Sequence, residues 1–192
     1  MNDQVAASAL AAIDDRSFSP RFTLRTVARS AVPVTTLSGQ RIQPDLELSD
    51  LPPEASDLLI LPDGPSWERG FNFEALARAH EFLFAHTPVA AIGSATLAMA
   101  RAGLLDGRRH TGNSRSHLAA SEYGAGHLYR DAPAVSDRGL ITARADANID
   151  FARELTRTLG LSRSQILREN RFLSGIDRTG LQSGRVCLGN FR

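Results

Sequence analysis

The chain has 192 residues, of which 42% are hydrophobic, enough for one ordinary globular domain with a core of its own. Its formal net charge of +1 gives no charge excess of the kind that attracts nucleic acid or an anionic membrane surface. The single cysteine, Cys187, excludes an internal disulfide framework and a multi-thiolate metal site. No apolar run approaches the roughly 20 residues of a membrane helix, and the N-terminus lacks a signal-peptide pattern. We therefore expect a cytoplasmic protein with no cofactor, no metal, no nucleic-acid partner and no membrane contact.

The spacing of apolar residues predicts alternating strands and helices over residues 1–160. Short continuous apolar runs, such as 58–61 and 89–92, are typical of strands that are buried on both faces. The tail at 161–192 carries six Arg against two acidic residues and has weak periodicity, so we predict that it is partly helical or disordered. We predict helices over 3–13, 73–85, 95–102 and 147–159, and strands over 21–28, 32–37, 39–43, 57–61, 89–92, 109–111, 134–136 and 140–142.

The stretch from Pro88 to Gly103 predicts a buried strand that turns sharply into a helix. Gly93 provides the corner, Ser94 is a good N-cap residue, and Gly103 stands where a helix ends in a left-handed cap. In α/β folds, the loop at the carboxyl end of a central strand is where ligands and nucleophiles are presented. This turn, called the elbow below, is therefore the first candidate for a functional site.

Three segments carry a family resemblance: "DLLILPDGPSW", "PVAAIGSATLAMARAGLLDGRRHTGN" and "YRDAPAVSDRGLITARADANIDFARELTRTLG". They resemble the ThiJ/PfpI family of the class I glutamine amidotransferase-like superfamily, in the right order over residues 3–160. The resemblance implies an α/β flavodoxin-like three-layer sandwich with a mainly parallel sheet, commonly assembled as a homodimer. It makes residues 1–160 the family domain and 161–192 a tail. Active members are cysteine hydrolases, glyoxalases, deglycase-like proteins, hydratases or chaperones.

The chain departs from the family pattern at three points. The family turn usually reads A-I-C-G-A-T, and here Gly93 stands at the position of the nucleophilic cysteine. The first central strand of the family, with the acidic residue that follows it, is missing where this chain begins. The family prefers Pro-Gly-Gly where this chain has Pro62-Asp63-Gly64, and Asp63 would oppose anion binding if it faced inward.

Two polar residues are candidates for a replacement catalytic pair. Ser94 could act as a nucleophile beside the elbow, or it could simply cap the helix. His110 could reach the pocket as a base, or it could be a polar residue at a strand end. Asn113 lies near the place where some relatives have a catalytic His, so that role is also lost.

The remaining candidates concern the pocket and metal binding. Trp67 could cover the pocket rim or anchor a loop. The other histidines, His80, His86, His117 and His127, show no paired metal-ligand spacing. The residues that we predict to line the pocket are Asp63, Gly64, Trp67, Gly93, Ser94, Ala95 and Asn113.

The sequence leaves three functional hypotheses. The first is a catalytically impaired protein of this family that acts as a binding or dimerising module, with a small-molecule ligand and a second copy of itself as partners. The second is a hydrolase or a glyoxalase- or amidase-like enzyme that uses Ser94 and His110 in a rebuilt pocket. The third is a truncated or decayed copy of a family enzyme.

Overall fold

The computed structural model describes residues 22–36, 39–160 and 184–189, the last of these by backbone alone. The predicted helix at 3–13 and most of the Arg-rich tail lie outside the described residues. The helices are α1 (Phe73–Phe84), α2 (Ser94–Arg101), α3 (Arg115–Ala119) and α4 (Asn148–Thr158). The strands are β1 (Phe22–Ala28), β2 (Val34–Thr35), β3 (Arg41–Ile42), β4 (Leu46–Glu47), β5 (Leu58–Leu61), β6 (Val89–Ile92), β7 (Ala134–Asp137), β8 (Leu140–Ala143) and β9 (Gly184–Gly189).

A seven-stranded sheet with the order β4-β1-β9-β5-β6-β8-β7 forms the middle layer. Neighbouring strands are parallel throughout, except that β7 and β8 form an antiparallel hairpin, as the sequence predicts. β2 and β3 form a separate antiparallel pair. Because β5, β6 and β8 run in the same direction, their carboxyl ends meet at one edge of the sheet, and the turn after each strand lies there.

The strand between β1 and β5 comes from the far end of the chain. β9 pairs with β1 from Phe22↔Gly184 to Val27↔Gly189, and with β5 from Leu58↔Val186 to Ile60↔Leu188. The sequence predicts a tail that is partly helical or disordered, and part of it is instead a central strand. The backbone of Cys187 lies in this strand.

Apolar side chains cover both faces of the sheet. Along β5, Leu59 and Leu61 pack into a cluster with α1 and α2, whereas Leu58 and Ile60 pack into a second cluster with α4. All four residues of β5 and all four of β6 are buried, which explains their continuous apolar runs. The α/β flavodoxin-like three-layer sandwich with a mainly parallel sheet is therefore confirmed.

Two local predictions are corrected by the structure. Residues 109–111 form no strand, and His110 makes only an isolated bridge with Tyr129. The predicted strands at 32–37 and 39–43 shorten to the two-residue strands β2 and β3. None of the helices in the described part of the chain is long and apolar enough to cross a membrane.

Candidate functional site at the elbow between β6 and α2

Gly93 forms the corner between β6 and α2 in a conformation that other residues avoid. Its φ of 64° and ψ of −131° lie in a region reserved almost entirely for glycine. The amide of Gly93 donates to the carbonyl of Ala143 at the end of β8, at 3.1 Å. Its carbonyl accepts from both the amide and the hydroxyl of Thr96, at 3.1 and 2.7 Å. The turn is therefore fixed from both sides.

The carboxyl group of Asp63 fills the space beside Gly93. A Cβ built on Gly93 would lie 2.9 Å from the Cβ of Asp63, and closer still to its Cγ and Oδ1. Real Cβ atoms essentially never approach so closely, so no side chain fits at position 93 unless Asp63 moves. Position 93 therefore carries no reactive side-chain atom, and the adjoining space is occupied by the carboxyl group of Asp63 from the loop after β5.

Asp63 accepts two backbone hydrogen bonds through a single oxygen. Its Oδ1 lies 2.7 Å from the amide nitrogen of Ser94 and 2.9 Å from that of Gly64. Ser94 is the first residue of α2, so the carboxylate stands at the positive end of the helix dipole. Asp63 faces inward, and its carboxylate accepts hydrogen bonds from the amides that would otherwise bind an incoming anion.

The predicted capping role of Ser94 is wrong. The N-cap position belongs to Gly93, and no side chain of the local sequence caps the helix. The cap comes from Asp63, 31 residues earlier in the chain. The predicted left-handed C-cap at Gly103 is confirmed, with a φ of 71° directly after the helix end.

The hydroxyl of Ser94 is directed to Glu68. Ser94 Oγ donates to Glu68 Oε1 at 3.1 Å, and the same oxygen lies 3.7 Å from His117 Nε2. Ser94 is buried, whereas the side chains of Glu68 and His117 are 53% and 26% exposed. The carboxylate therefore lies between the hydroxyl and the imidazole, unlike in a serine triad, where the imidazole contacts the hydroxyl.

His110 does not form the predicted pair with Ser94. Its Nδ1 lies 2.8 Å from the carbonyl of Arg108, and its Nε2 lies 3.0 Å from the hydroxyl of Tyr123. The residue is fully buried, and this burial lowers the pKa of the ring, which favours the neutral form. With both ring nitrogens already bonded, His110 is a structural residue of the core beside Tyr123.

Asn113 lies in a separate cleft at the same edge of the sheet. Its Oδ1 accepts from the amide of Ala145 at 2.9 Å, which ties the loop before α3 to the turn after β8. The cleft measures about 610 Å³, and its lining does not include the elbow residues. It is lined by Asn113, Ser114, Arg115, Tyr129, Asp131, Arg144, Ala145 and Asp146.

Trp67 anchors the loop that follows β5. Its side chain is 3% exposed, and its Nε1 donates to the carbonyl of Pro62 at 2.7 Å. This bond helps to hold the backbone that carries Asp63 and Gly64. The structure therefore does not bring the predicted pocket residues together in one pocket. Asp63, Gly64, Gly93 and Ser94 meet at the elbow, and Ala95 is buried in the core. Asn113 lines the cleft, and Trp67 lines a different cavity.

Sequence reasoning missed Glu68 and the connection to His117. Glu68 follows Trp67 in an irregular loop, and no periodicity marks it as facing the elbow. His117 lies on the short helix α3, one turn after its N-cap Ser114. Over the described ranges, no three His, Cys, Asp or Glu side chains come together in a group that could hold a metal ion.

Comparisons with known proteins agree with this fold. The model of the DJ-1/PfpI family matches residues 10–158. The uncharacterized protease YoaZ of Bacillus subtilis (strain 168) is 34% identical over 145 residues, which cover 74% of this chain and 69% of the relative. Deglycase PH1704 of Pyrococcus horikoshii is 30% identical over 128 residues, 66% of this chain and 76% of the relative. The DJ-1 superfamily protein Atu0886 from Agrobacterium tumefaciens superimposes with a TM-score of 0.76 and 31% identity, over 90% of this chain and 91% of that one. The chain belongs to the DJ-1/PfpI family.

Proposed function

We propose that this protein is a binding protein of its family that performs no cysteine chemistry at the elbow. The observation that carries the proposal is the position of Asp63, whose carboxylate fills the space of a side chain at Gly93 and bonds the amide of Ser94. Cysteine nucleophiles work because a helix N-terminus and backbone donors stabilise the thiolate. Here the same donors stabilise a fixed carboxylate.

The electrostatics of the elbow also oppose acyl transfer by another nucleophile. An acyl-transfer site needs backbone amides that are ready to bind the negative oxygen of a tetrahedral intermediate. The amides of Gly64 and Ser94 both donate to Asp63. A developing oxyanion would have to displace this carboxylate and would be repelled by its charge.

The test measures turnover of a glyoxal, an amide and a peptide substrate by the purified full chain. We expect no turnover above that of a heat-denatured sample. Turnover that is abolished by Asp63→Asn or by Ser94→Ala would overturn the proposal. His127→Gln, a substitution of an exposed histidine, serves as the control for the general effects of mutation.

A second candidate function is hydrolysis by Ser94, favoured by the hydrogen bond between its hydroxyl and Glu68. In this version Glu68 takes the proton of Ser94 as the hydroxyl attacks a carbonyl, and it returns that proton to the leaving group as the acyl bond breaks. Water then attacks the acyl-Ser94 ester with Glu68 again as the base, while His117 holds Glu68 in position. A fluorophosphonate probe distinguishes the two candidates. Labelling that disappears in Ser94→Ala and in Glu68→Gln would support hydrolysis, whereas an unlabelled wild type would support the binding protein.

The expected homodimer remains a prediction. Sedimentation equilibrium of the full chain tests it directly. A single species with the mass of one chain, at every concentration from 1 to ~100 µM, would contradict the prediction. This range covers typical affinities of functional protein dimers.

A further inference from the structure

A second cavity adjoins the C-terminal part of α2, and Asp63, Gly93 and Ser94 are not among its lining residues. It measures about 310 Å³ and is bounded by the loop after β5, by α1 and by the end of α2. This volume corresponds to about ten water molecules, which is the size range of a small aromatic compound. Its apolar lining includes Trp67, Phe73, Leu76, Ala98 and Leu104.

One buried polar side chain in this lining has an oxygen atom that no hydrogen-bond donor of the described residues reaches. Asn72 is 4% exposed, and its Nδ2 donates to Ser66 Oγ at 3.1 Å. Its Oδ1 is buried, and no donor from the described residues reaches it. Although Asn72 directly precedes α1, its side chain does not cap that helix. A buried carbonyl oxygen without a donor costs about 1–3 kcal/mol, so a donor supplied by a ligand would be favourable.

We propose that this cavity binds a small, mostly apolar aromatic molecule that carries one hydroxyl group, and that Asn72 Oδ1 accepts the hydroxyl hydrogen. Trp67 and Phe73 supply aromatic surface for the ring. Trp67 is held in place by its bond to Pro62, and Phe73 is 72% exposed and stands where the cavity opens to solvent. The proposal goes beyond the function proposed above, because none of its residues takes part in the hydrogen bonds of Asp63 or Ser94.

The test compares three probes that share a toluene ring: p-cresol, toluene and 4-methylanisole. Toluene lacks the hydroxyl group, and 4-methylanisole keeps the oxygen but cannot donate. Trp67 is the only tryptophan of the chain, so its indole N–H gives a single, assigned peak in a ¹H–¹⁵N spectrum. Titrations that follow this peak yield the dissociation constants of the three probes.

We expect p-cresol to bind roughly three- to tenfold more tightly than the other two probes, the range that one neutral hydrogen bond supplies. In Asn72→Leu, which keeps the size of the side chain, this preference should disappear while toluene still binds. Asn148→Leu is the matched control, because Asn148 also has a buried Oδ1 without a described donor but lies outside the cavity. Ala102→Phe places a ring at the exposed edge of the cavity lining and should weaken all three probes.

Three results would overturn the proposal. The first is an indole peak that does not move with any probe up to its solubility limit. The second is equal affinity for p-cresol and toluene in the wild type. The third is a preference for p-cresol that survives in Asn72→Leu. None of these results bears on the elbow, so failure here leaves the proposed function intact.

Discussion

Asp63 and Gly93 lie in the turns that follow the neighbouring strands β5 and β6, and the carboxyl group of the first occupies the space that a side chain on the second would need. Each residue gives a structural reason for the identity of the other. Glycine at the elbow leaves room for the acid, and the acid satisfies the amides that the elbow exposes at the start of α2. Together they give α2 an N-terminal cap that comes from a distant part of the chain.

The first prediction concerns Gly93→Ala. The new Cβ meets Asp63 and also forces alanine into a glycine-only conformation, so we expect the free energy of unfolding to fall by at least about 2 kcal/mol. Urea denaturation measures it. Gly107→Ala is the matched control, with a φ of 73° and open space around its Cβ, and should cost about 1 kcal/mol.

The same substitution gives a sharper result in a double-mutant cycle. If the clash with Asp63 is the main cause of the destabilisation, the double variant Asp63→Gly, Gly93→Ala should lose about 1 kcal/mol less free energy of unfolding than the sum of the two single variants. Strict additivity of the two changes would mean that backbone strain at Gly93, and not contact with Asp63, forbids a side chain there.

The second prediction concerns anion binding in Asp63→Gly. Removal of the carboxylate leaves the amides of Gly64 and Ser94 without their acceptor at a helix N-terminus, which is a site for small anions. We expect acetate to raise the melting temperature of the variant by roughly 2–4 °C and to leave the wild type almost unchanged. Sodium chloride of equal ionic strength is the control. An equal response of both proteins to acetate would contradict the internal-anion role of Asp63.

The third prediction concerns pH. Burial is the main cause that lowers the pKa of His110, and the positive charges of Arg130 and Arg115 lower it as well. The hydrogen bond to the backbone carbonyl of Arg108 and the negative charge of Asp106 act in the opposite direction and raise the pKa. The unfolded chain therefore binds a proton at His110 more readily than the folded chain. Stability from this residue is full above about pH 6.5 and falls as the pH decreases below that value, with a slope of at most about 1.4 kcal/mol per unit.

Urea denaturation from pH 8 to pH 5 measures this slope. In His110→Gln the fall in stability between pH 6.5 and pH 5 should be shallower than in the wild type. Leu118→Ala, which removes buried apolar atoms and no titrating group, should lower stability equally at every pH. Parallel pH profiles of the wild type and His110→Gln would refute the prediction.

Local patterns were enough to predict most elements of the fold. The buried runs of β5 and β6, the hairpin of β7 and β8, and the helices α1 and α4 all follow from periodicity and turn residues within a few positions. The elbow between β6 and α2 follows from the same local signals, a buried apolar run, a glycine and a run of helix formers. The family pattern adds only the hypothesis that Gly93 stands at the position of a nucleophile.

Contacts between distant segments could not be predicted in the same way. The cap of α2 comes from Asp63, the partner of Ser94 is Glu68, and neither is close to α2 in sequence. His110 was a reasonable candidate base by type, but its burial and its bond to Tyr123 depend on how separate loops pack. A histidine or serine in one sequence carries no sign of which partner the fold will bring to it.

The fourth prediction concerns β9, which sequence reasoning placed in a loose tail. Deletion of residues 184–192 removes the strand between β1 and β5 and leaves two parallel neighbours with unpaired edges in the middle of the sheet. We expect the shortened chain to lose its cooperative unfolding transition and to form oligomers in size-exclusion chromatography, because the loss of a central strand exceeds the 5–15 kcal/mol that stabilises an ordinary domain.

Deletion of residues 190–192 alone is the control and should leave the transition in place. If the chain that ends at residue 183 keeps the oligomeric state and the melting temperature of the full chain, β9 contributes nothing to the sheet. If a synthetic peptide of residues 184–192 restores the transition when it is added to the shortened chain, the strand is identified as the missing element, since an extended peptide can complete an open sheet edge through its backbone hydrogen bonds.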